Sequence, residues 1–351
     1  MAANVVRSVA DRLYRVLGTD LLQVRPAPAA HRVAARAALS MLIALLTLWW
    51  FDRVEWALYA TFGAFTSVFG GGLRSPGRWK LQIAVGLTLT AAVACGVLIA
   101  LHPERTWLAV PAAAAWAALA AALSDHFHWK PPGALFPVFA VAACSSVPIT
   151  AANVLPAIAV TASTAALAIL LGVLEDRLAP PPPQATPPPA PPPAPLPRIV
   201  NPTANAAAVL IAGGIATASG ISHPYWAMIA AVAPLAAVGF RKQFVRGVHR
   251  AAGTLIGIFL AVPLLALDLP VLAILVAVPA LQGTAELLIA RNYGAALIVI
   301  TPLALLLVDM AHAEPISTLV TDRLVETVIG VTVGLTIALL IRPRRSPTTE
   351  T

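Results

Sequence analysis

The chain has 351 residues, of which 59% are hydrophobic and only 11% are charged. Soluble domains carry about 25% charged residues, so this chain cannot clothe a water-facing surface, and lipid must solvate much of it. A net charge of +8 would suggest nucleic acid in a soluble protein; here the basic residues sit in short gaps between apolar runs, where they set membrane topology and argue against a nucleic-acid partner.

The first segment, residues 1–33, carries Val6, Val9, Leu13 and Val16 at helical spacing among Arg7, Arg12 and Arg15. That pattern predicts an amphipathic helix on the cytoplasmic membrane surface. It lacks an apolar stretch followed by a cleavage site, so the first apolar run reads as a retained span, not a removed signal. Six apolar runs follow at residues 34–51, 56–71, 81–101, 107–125, 131–147 and 154–174. About 20 apolar residues cross a bilayer as helix. Helix is the only spanning element on offer, because the alternation of a barrel strand is absent and unpaired backbone is too costly in hydrocarbon.

Residues 179–198 break the pattern with one PPPP and two PPP runs. Such a stretch takes polyproline II geometry and reads as a semi-rigid cytoplasmic linker. Six more runs lie at 204–221, 225–240, 251–267, 269–289, 293–308 and 319–341, and residues 343–351 form a cytoplasmic tail. The expected fold is all-α, about twelve transmembrane helices in two membrane units, residues 34–178 and 199–342. With both termini in the cytoplasm, every Lys and Arg falls inside except Arg53 and Arg105, which face out, and Arg323, which lies within the last span. This is the positive-inside arrangement. Trp49, Trp50, Trp56, Trp107, Tyr225 and Trp226 near the outer ends, with Trp79 and Trp129 near the inner ends, are read as interfacial belts.

The two units match feature by feature. Trp56-Ala57 and Trp226-Ala227 each open a second span, and each is followed by a basic inner loop, Arg74, Arg78 and Lys80 in one and Arg241, Lys242, Arg246 and Arg250 in the other. Asp125, Lys130 and Gly133 recur at the same spacing as Glu286, Arg291 and Gly294. Six spans per unit gives both the same orientation, hence a parallel repeat about an axis along the membrane normal, with any permeation path near the interface of the repeats.

The segments HPYWAMIAAVAPL, RGVHRAAGTLIGIFLA, AELLIARNYGAALIVITPLALLL and DRLVETVIGVTVGL, in that order across most of residues 224–342, resemble the fusaric acid resistance-like family. These are bacterial inner-membrane proteins grouped with aromatic acid exporters and distantly similar to plant malate-permeable anion channels. The first half resembles the family only through Trp56-Ala57 and its helix pattern. The resemblance implies efflux of aromatic or other organic acids from a multi-pass protein of the bacterial inner membrane. Many relatives carry a large cytoplasmic domain between the halves, where this chain has only the proline-rich linker.

Charges inside spans cost about 2.5 to 3.5 kcal/mol at mid-membrane and persist when paired, solvated or used. Asp322, Arg323 and Glu326 lie on the last span, with Glu326 on the face of the other two. They are either a self-neutralising cluster near the outer interface or an anion gate in which Arg323 holds a carboxylate while an acid titrates or competes. Glu286, Arg291, Asn292 and Tyr293 form a second cluster near the cytoplasmic end. It is either an ion pair beside a helix start or, with Arg241, Arg246 and Arg250, an inner basic vestibule that attracts anions. Asp125 and Lys130 are the first-half counterparts. Thr301-Pro302 stands out among the span prolines because its hydroxyl can satisfy backbone groups that proline frees. Gly253, Gly257, Gly330 and Gly334 have the spacing of close helix packing.

His126 and His128 lack a third ligand, Cys95 and Cys144 are lone apolar-segment cysteines, and neither a phosphate-binding loop nor a nucleophile motif occurs. The chain is therefore read as no enzyme and as using neither metal nor cofactor. The expected function is a secondary transporter that exports organic anions, with proton coupling open. The alternatives are a passive organic-anion channel and a scaffold that recruits partners through the linker. The expected partners are the lipid bilayer and a small organic acid, and a homo-oligomer stays open.

Overall fold

The computed structural model describes residues 20–71, 77–178, 200–311 and 314–342. The amphipathic N-terminal helix, the proline-rich linker and the C-terminal tail expected from the sequence lie outside the described residues. All twelve apolar runs are helices: α1 (Ala30–Trp50), α2 (Ala57–Ala64), α3 (Gly77–Ala100), α4 (Arg105–Phe127), α5 (Leu135–Ser146), α6 (Ala151–Leu178), α7 (Val200–Ala218), α8 (Tyr225–Leu235), α9 (Phe240–Ala266), α10 (Val271–Ile289), α11 (Tyr293–Ala311) and α12 (Ile316–Leu340). No strand occurs among the described residues.

Eight of these helices are long and apolar enough to cross a bilayer: α1, α3, α4, α6, α9, α10, α11 and α12. The expectation of twelve full-length spans needs correction for the others. α7 has 19 residues, but Asn201 and Asn205 make its first turns polar. α2, α5 and α8 have 8, 12 and 11 residues, and at 1.5 Å per residue an 11-residue helix reaches only about 16 Å. Short helices are tolerated at membrane depth where protein rather than lipid surrounds them. That condition is met, since every residue of α8 is buried, as is all of α2 except Leu58.

Segment 57–71 still traverses the molecule. A 3-10 turn, Phe65–Val68, extends α2; the segment leaves near the end of α1 and finishes with Gly71 beside Val33 at the start of α1. The start of α1, the ends of α4 and α6 and the start of α9 thus gather at one end of the molecule, hereafter the basic end. The ends of α1 and α7 and the starts of α4, α6, α8 and α12 lie at the far end. At the basic end, the Gly70 N–H donates to the Lys130 carbonyl at 3.0 Å, and Gly133 abuts Ala236.

Each half packs in a similar way. In the first, α3 lies against α5 and α6, and α2 against α6; in the second, α9 lies against α11 and α12, and α8 against α12. The predicted glycine contacts appear here. Gly253 and Gly257 sit on Gly294, Leu297 and Thr301 of α11, while Gly330 and Gly334 meet the α8 backbone at Ala227 and Ala231. A side chain at any of these positions would collide with its neighbour, so backbone proximity supplies the dispersion contact that hydrophobicity cannot supply in lipid. The halves join where α4 packs on α7, α10 on α1 and α5 on α8. Apolar side chains such as Leu87, Leu170, Phe259 and Val328 point outward, as lipid-facing residues must.

Two features of the basic end lacked any signal in the apolar pattern. Arg36 and Arg78 are buried and share Glu175, and Arg78 also reaches Asp176 at 3.2 Å. This network ties α1, α3 and α6 together. Residues 20–25 form a strap leading into α1 but fastened to the second half. Asp20 pairs with Arg241, the Leu21 carbonyl meets His249 and accepts from Asn292, and the Arg25 N–H donates to the Arg291 carbonyl.

Candidate functional site

A cavity of about 650 Å³ lies between the halves and reaches both ends of the molecule. At the basic end it is lined by Val33, Gly71, Lys130, Gly133, Ala236 and Arg246; at the far end by Arg105, Ser146, Pro148, His223 and Glu314. The short helices explain its depth. Because α2, α5 and α8 are buried in protein, they present side chains to an internal space rather than to lipid.

One wall is aromatic and comes mainly from the first half. Phe62 packs edge-on against Phe139 at 5.0 Å, Phe65 tilts against Phe136 at 4.9 Å, and Phe139 meets Trp226 at 5.1 Å. Tyr225 stacks beside Phe139 at 6.2 Å. Trp50 and Trp107 are exposed, as the interfacial-belt reading requires, but Tyr225, Trp226 and Trp129 are buried and do not fit it. Composition cannot separate a belt tryptophan from one lining an internal space, because both sit near helix ends with an apolar body and a polar tip.

Most of the charged groups in and behind the lining come from the second half. Arg246 donates from Nε to the Ala233 carbonyl at 2.7 Å and lies 3.9 Å over the Tyr293 ring. One turn deeper on α9, Arg250 lines the cavity while only 3% exposed, and its Nε and Nη2 have no hydrogen-bond partner among the described residues. Behind Trp226, the Arg323 guanidinium lies 3.6 Å over the indole. It is 1% exposed, Glu326 is 0% exposed, and none of their side-chain nitrogens or oxygens has a hydrogen-bond partner among the described residues. Arg323 is within electrostatic reach of Arg250, Glu326, Tyr225 and Tyr293. A self-neutralising Arg323–Glu326 ion pair is not formed, since no contact between them falls within salt-bridge range. Asp322 points elsewhere, accepting from the Ser222 N–H at 3.1 Å and standing 4.0 Å from His223.

The inner cluster separates into different jobs. Glu286 is 6% exposed, lines the cavity and accepts from Gln282 at 2.9 Å. Its cationic neighbour is Arg36 of the first half, whereas Arg291 donates to its own helix at Leu287. Asn292 caps α11 through the Ala295 N–H and holds the strap. Tyr293 lines the cavity. The Thr301 hydroxyl donates to the Leu297 carbonyl and packs under Gly257. Arg241 is exposed and occupied by Asp20. Of the first-half counterparts, Lys130 lines the cavity mouth, while Asp125 is exposed and accepts from Asn201. Equal spacing therefore does not give Asp125 the buried setting of Glu286.

Sequence reasoning missed the phenylalanines, Gln282, and the far-end pair His223 and Glu314, 3.8 Å apart. A phenylalanine inside an apolar run carries no mark of the direction it faces. Gln282 was detectable, since it stands four residues before Glu286 on one helix face.

With only helices and loops among the described residues, and eight of those helices apolar and of bilayer length around an internal cavity, the chain is a multi-pass membrane protein. Its second half is fusaric acid resistance protein-like, since residues 208–337 match that family's model. The matched stretch runs from α7 to α12 and contains Arg250, Glu286, Arg323 and Glu326. No curated protein and no solved structure matches the chain.

Proposed function

We propose that the protein is a membrane transporter for organic anions, exporting aromatic or other organic acids through the cavity between its halves. The observation that carries this reading is the cavity itself, lined by residues from both ends of the molecule, with aromatic side chains and a buried, partly unpartnered Arg250 in the same lining. An aromatic body can stack on Phe139 and Trp226 while its carboxylate takes the guanidinium donors of Arg250. Arg246 and Lys130 at the basic end raise the local anion concentration.

The matching helix contacts of the two halves support a pseudo-twofold pair of six-helix units, whose interface would form the path. The positive-inside rule would put the basic end in the cytoplasm of a bacterial inner membrane, so that anions gather at the mouth from which export begins. Two buried carboxyl groups, Glu286 lining the cavity and Glu326 beside Arg323 behind Trp226, are the candidates for proton coupling. The test is flux of aromatic and aliphatic acids from proteoliposomes, with and without a pH gradient. Saturable flux that vanishes in Arg250→Gln is expected. Flux equal to that of empty liposomes for every acid tried removes the proposal.

A further inference from the structure

Three buried ionisable side chains lie within electrostatic reach of one another, and their charges do not cancel. Arg250 on α9 and Arg323 on α12 supply two positive charges, and Glu326, one helical turn from Arg323, supplies one negative charge when ionised. Other groups on the elements packed around Glu326 have partners of their own: on α9, Arg246 donates to the Ala233 carbonyl and lies over the Tyr293 ring, and His249 meets the Leu21 carbonyl. α7 contains no ionisable residue, α8 contributes Tyr225, and Tyr293 of α11 stands near Arg323. Asp322 lies within reach of Glu326, but its carboxylate is engaged by the Ser222 N–H and by His223 at the far-end mouth, where Glu314 also stands. Taken by themselves, Arg250, Arg323 and Glu326 carry one positive charge in excess when Glu326 is ionised, and two when it is protonated. A net charge held away from water is costly unless a counter-charge joins it. Arg250 faces the cavity with two nitrogens unpartnered among the described residues, so the counter-charge can come from a ligand.

We propose that Arg250, Arg323 and Glu326 form a charge-counting anion site, which takes a monoanion with Glu326 ionised and takes a dianion only together with one proton, held on the Glu326 carboxylate. This rests on the transport reading for the identity of its ligand and deepens it by fixing the charge of the cargo and its proton stoichiometry. The balance is simple. One added negative charge neutralises the excess of one, and a second requires that Glu326 lose its own, the proton coming from solvent.

The test uses the full-length protein in detergent at neutral pH, with benzoate as monoanion and phthalate as dianion. Binding is measured by calorimetry in buffers of different ionisation heat, which reads the protons taken up. The wild type is expected to bind benzoate without proton uptake and phthalate with about one proton. Glu326→Gln should bind benzoate several-fold more tightly and take up no proton with phthalate. Asp322→Asn should leave the phthalate proton in place. Arg250→Gln and Arg323→Gln should bind neither probe, and Arg323→Lys, which keeps the charge if the glutamine variant fails to fold, should retain benzoate. Equal uptake with both probes, phthalate uptake unchanged in Glu326→Gln, benzoate binding intact in Arg250→Gln, or no binding of either probe to the wild type each overturns the proposal. Benzoate flux in proteoliposomes separates the two readings. Flux with failed linkage sinks the charge-counting site alone, whereas intact linkage without flux sinks transport and leaves the site standing.

Discussion

Arg250 and Arg291 are both arginines of the basic half of the second unit, yet the structure gives them opposite prospects. Arg291 donates from Nη1 to its own helix at Leu287, whereas Arg250 lines the cavity and keeps two buried nitrogens without a partner among the described residues. Arg250→Gln is therefore expected to lower flux by tenfold or more, equivalent to about 1.4 kcal/mol of lost anion binding, while Arg291→Gln stays within about twofold. Proteoliposome flux at matched protein density checks both; equal losses would contradict the assignment. Trp226 is a second residue-scale case, since its indole carries the Arg323 guanidinium at 3.6 Å. A cation–π contact away from water is worth about 2 kcal/mol. Trp226→Leu should cost affinity for aromatic acids and lower the melting temperature, while Trp107→Leu, on the lipid-facing surface, should do neither. Residues of this kind were legible in part. Arg323 and Glu326 announced themselves as charges in an apolar span, but their failure to pair depends on side-chain direction, which spacing along one helix does not fix.

Helix existence was the most legible level, because long apolar runs admit one backbone solution in hydrocarbon. Helix length was less so. Residues 56–71 and 225–240 are apolar enough to pass as spans, but the sequence does not say whether lipid or protein surrounds them, and α2 and α8 turned out short and enclosed. Their enclosure rests on small residues of α6 and α12. Gly330→Leu would drive a side chain into the Ala227–Ala231 backbone, and overpacking of this sort costs about 1–3 kcal/mol or more. A drop in thermal stability measured by size-exclusion fluorescence is expected, larger than for Gly214→Leu, where open space surrounds the glycine. In the first half the network of Arg36, Arg78, Glu175 and Asp176 does the equivalent fastening. Removing one partner of a buried pair costs about 3–5 kcal/mol. Glu175→Gln should reduce the yield of folded protein and leave the affinity of the surviving fraction unchanged; a changed affinity at full yield would place the network in transport instead.

At the scale of the molecule the two halves divide the work. The first supplies the phenylalanine wall and the second most of the buried charge. That division follows from composition alone only on the charged side, where a few residues stand out against apolar background. Lys130 and Ser146 line opposite ends of the cavity, so single cysteines placed there, with Cys95 and Cys144 replaced, should react with an impermeant maleimide from opposite faces of the membrane. Labelling of both from one face would refute a passage that runs end to end.

The strap of residues 20–25 has a bearing on how the chain is assembled. Its seats at Arg241, His249, Arg291 and Asn292 lie more than two hundred residues downstream, so a ribosome delivers the buckle long after the belt. The ends of the fold can be fastened only when α11 has entered the bilayer, which makes docking of the strap a late event and its protection from protease a readout of completed insertion.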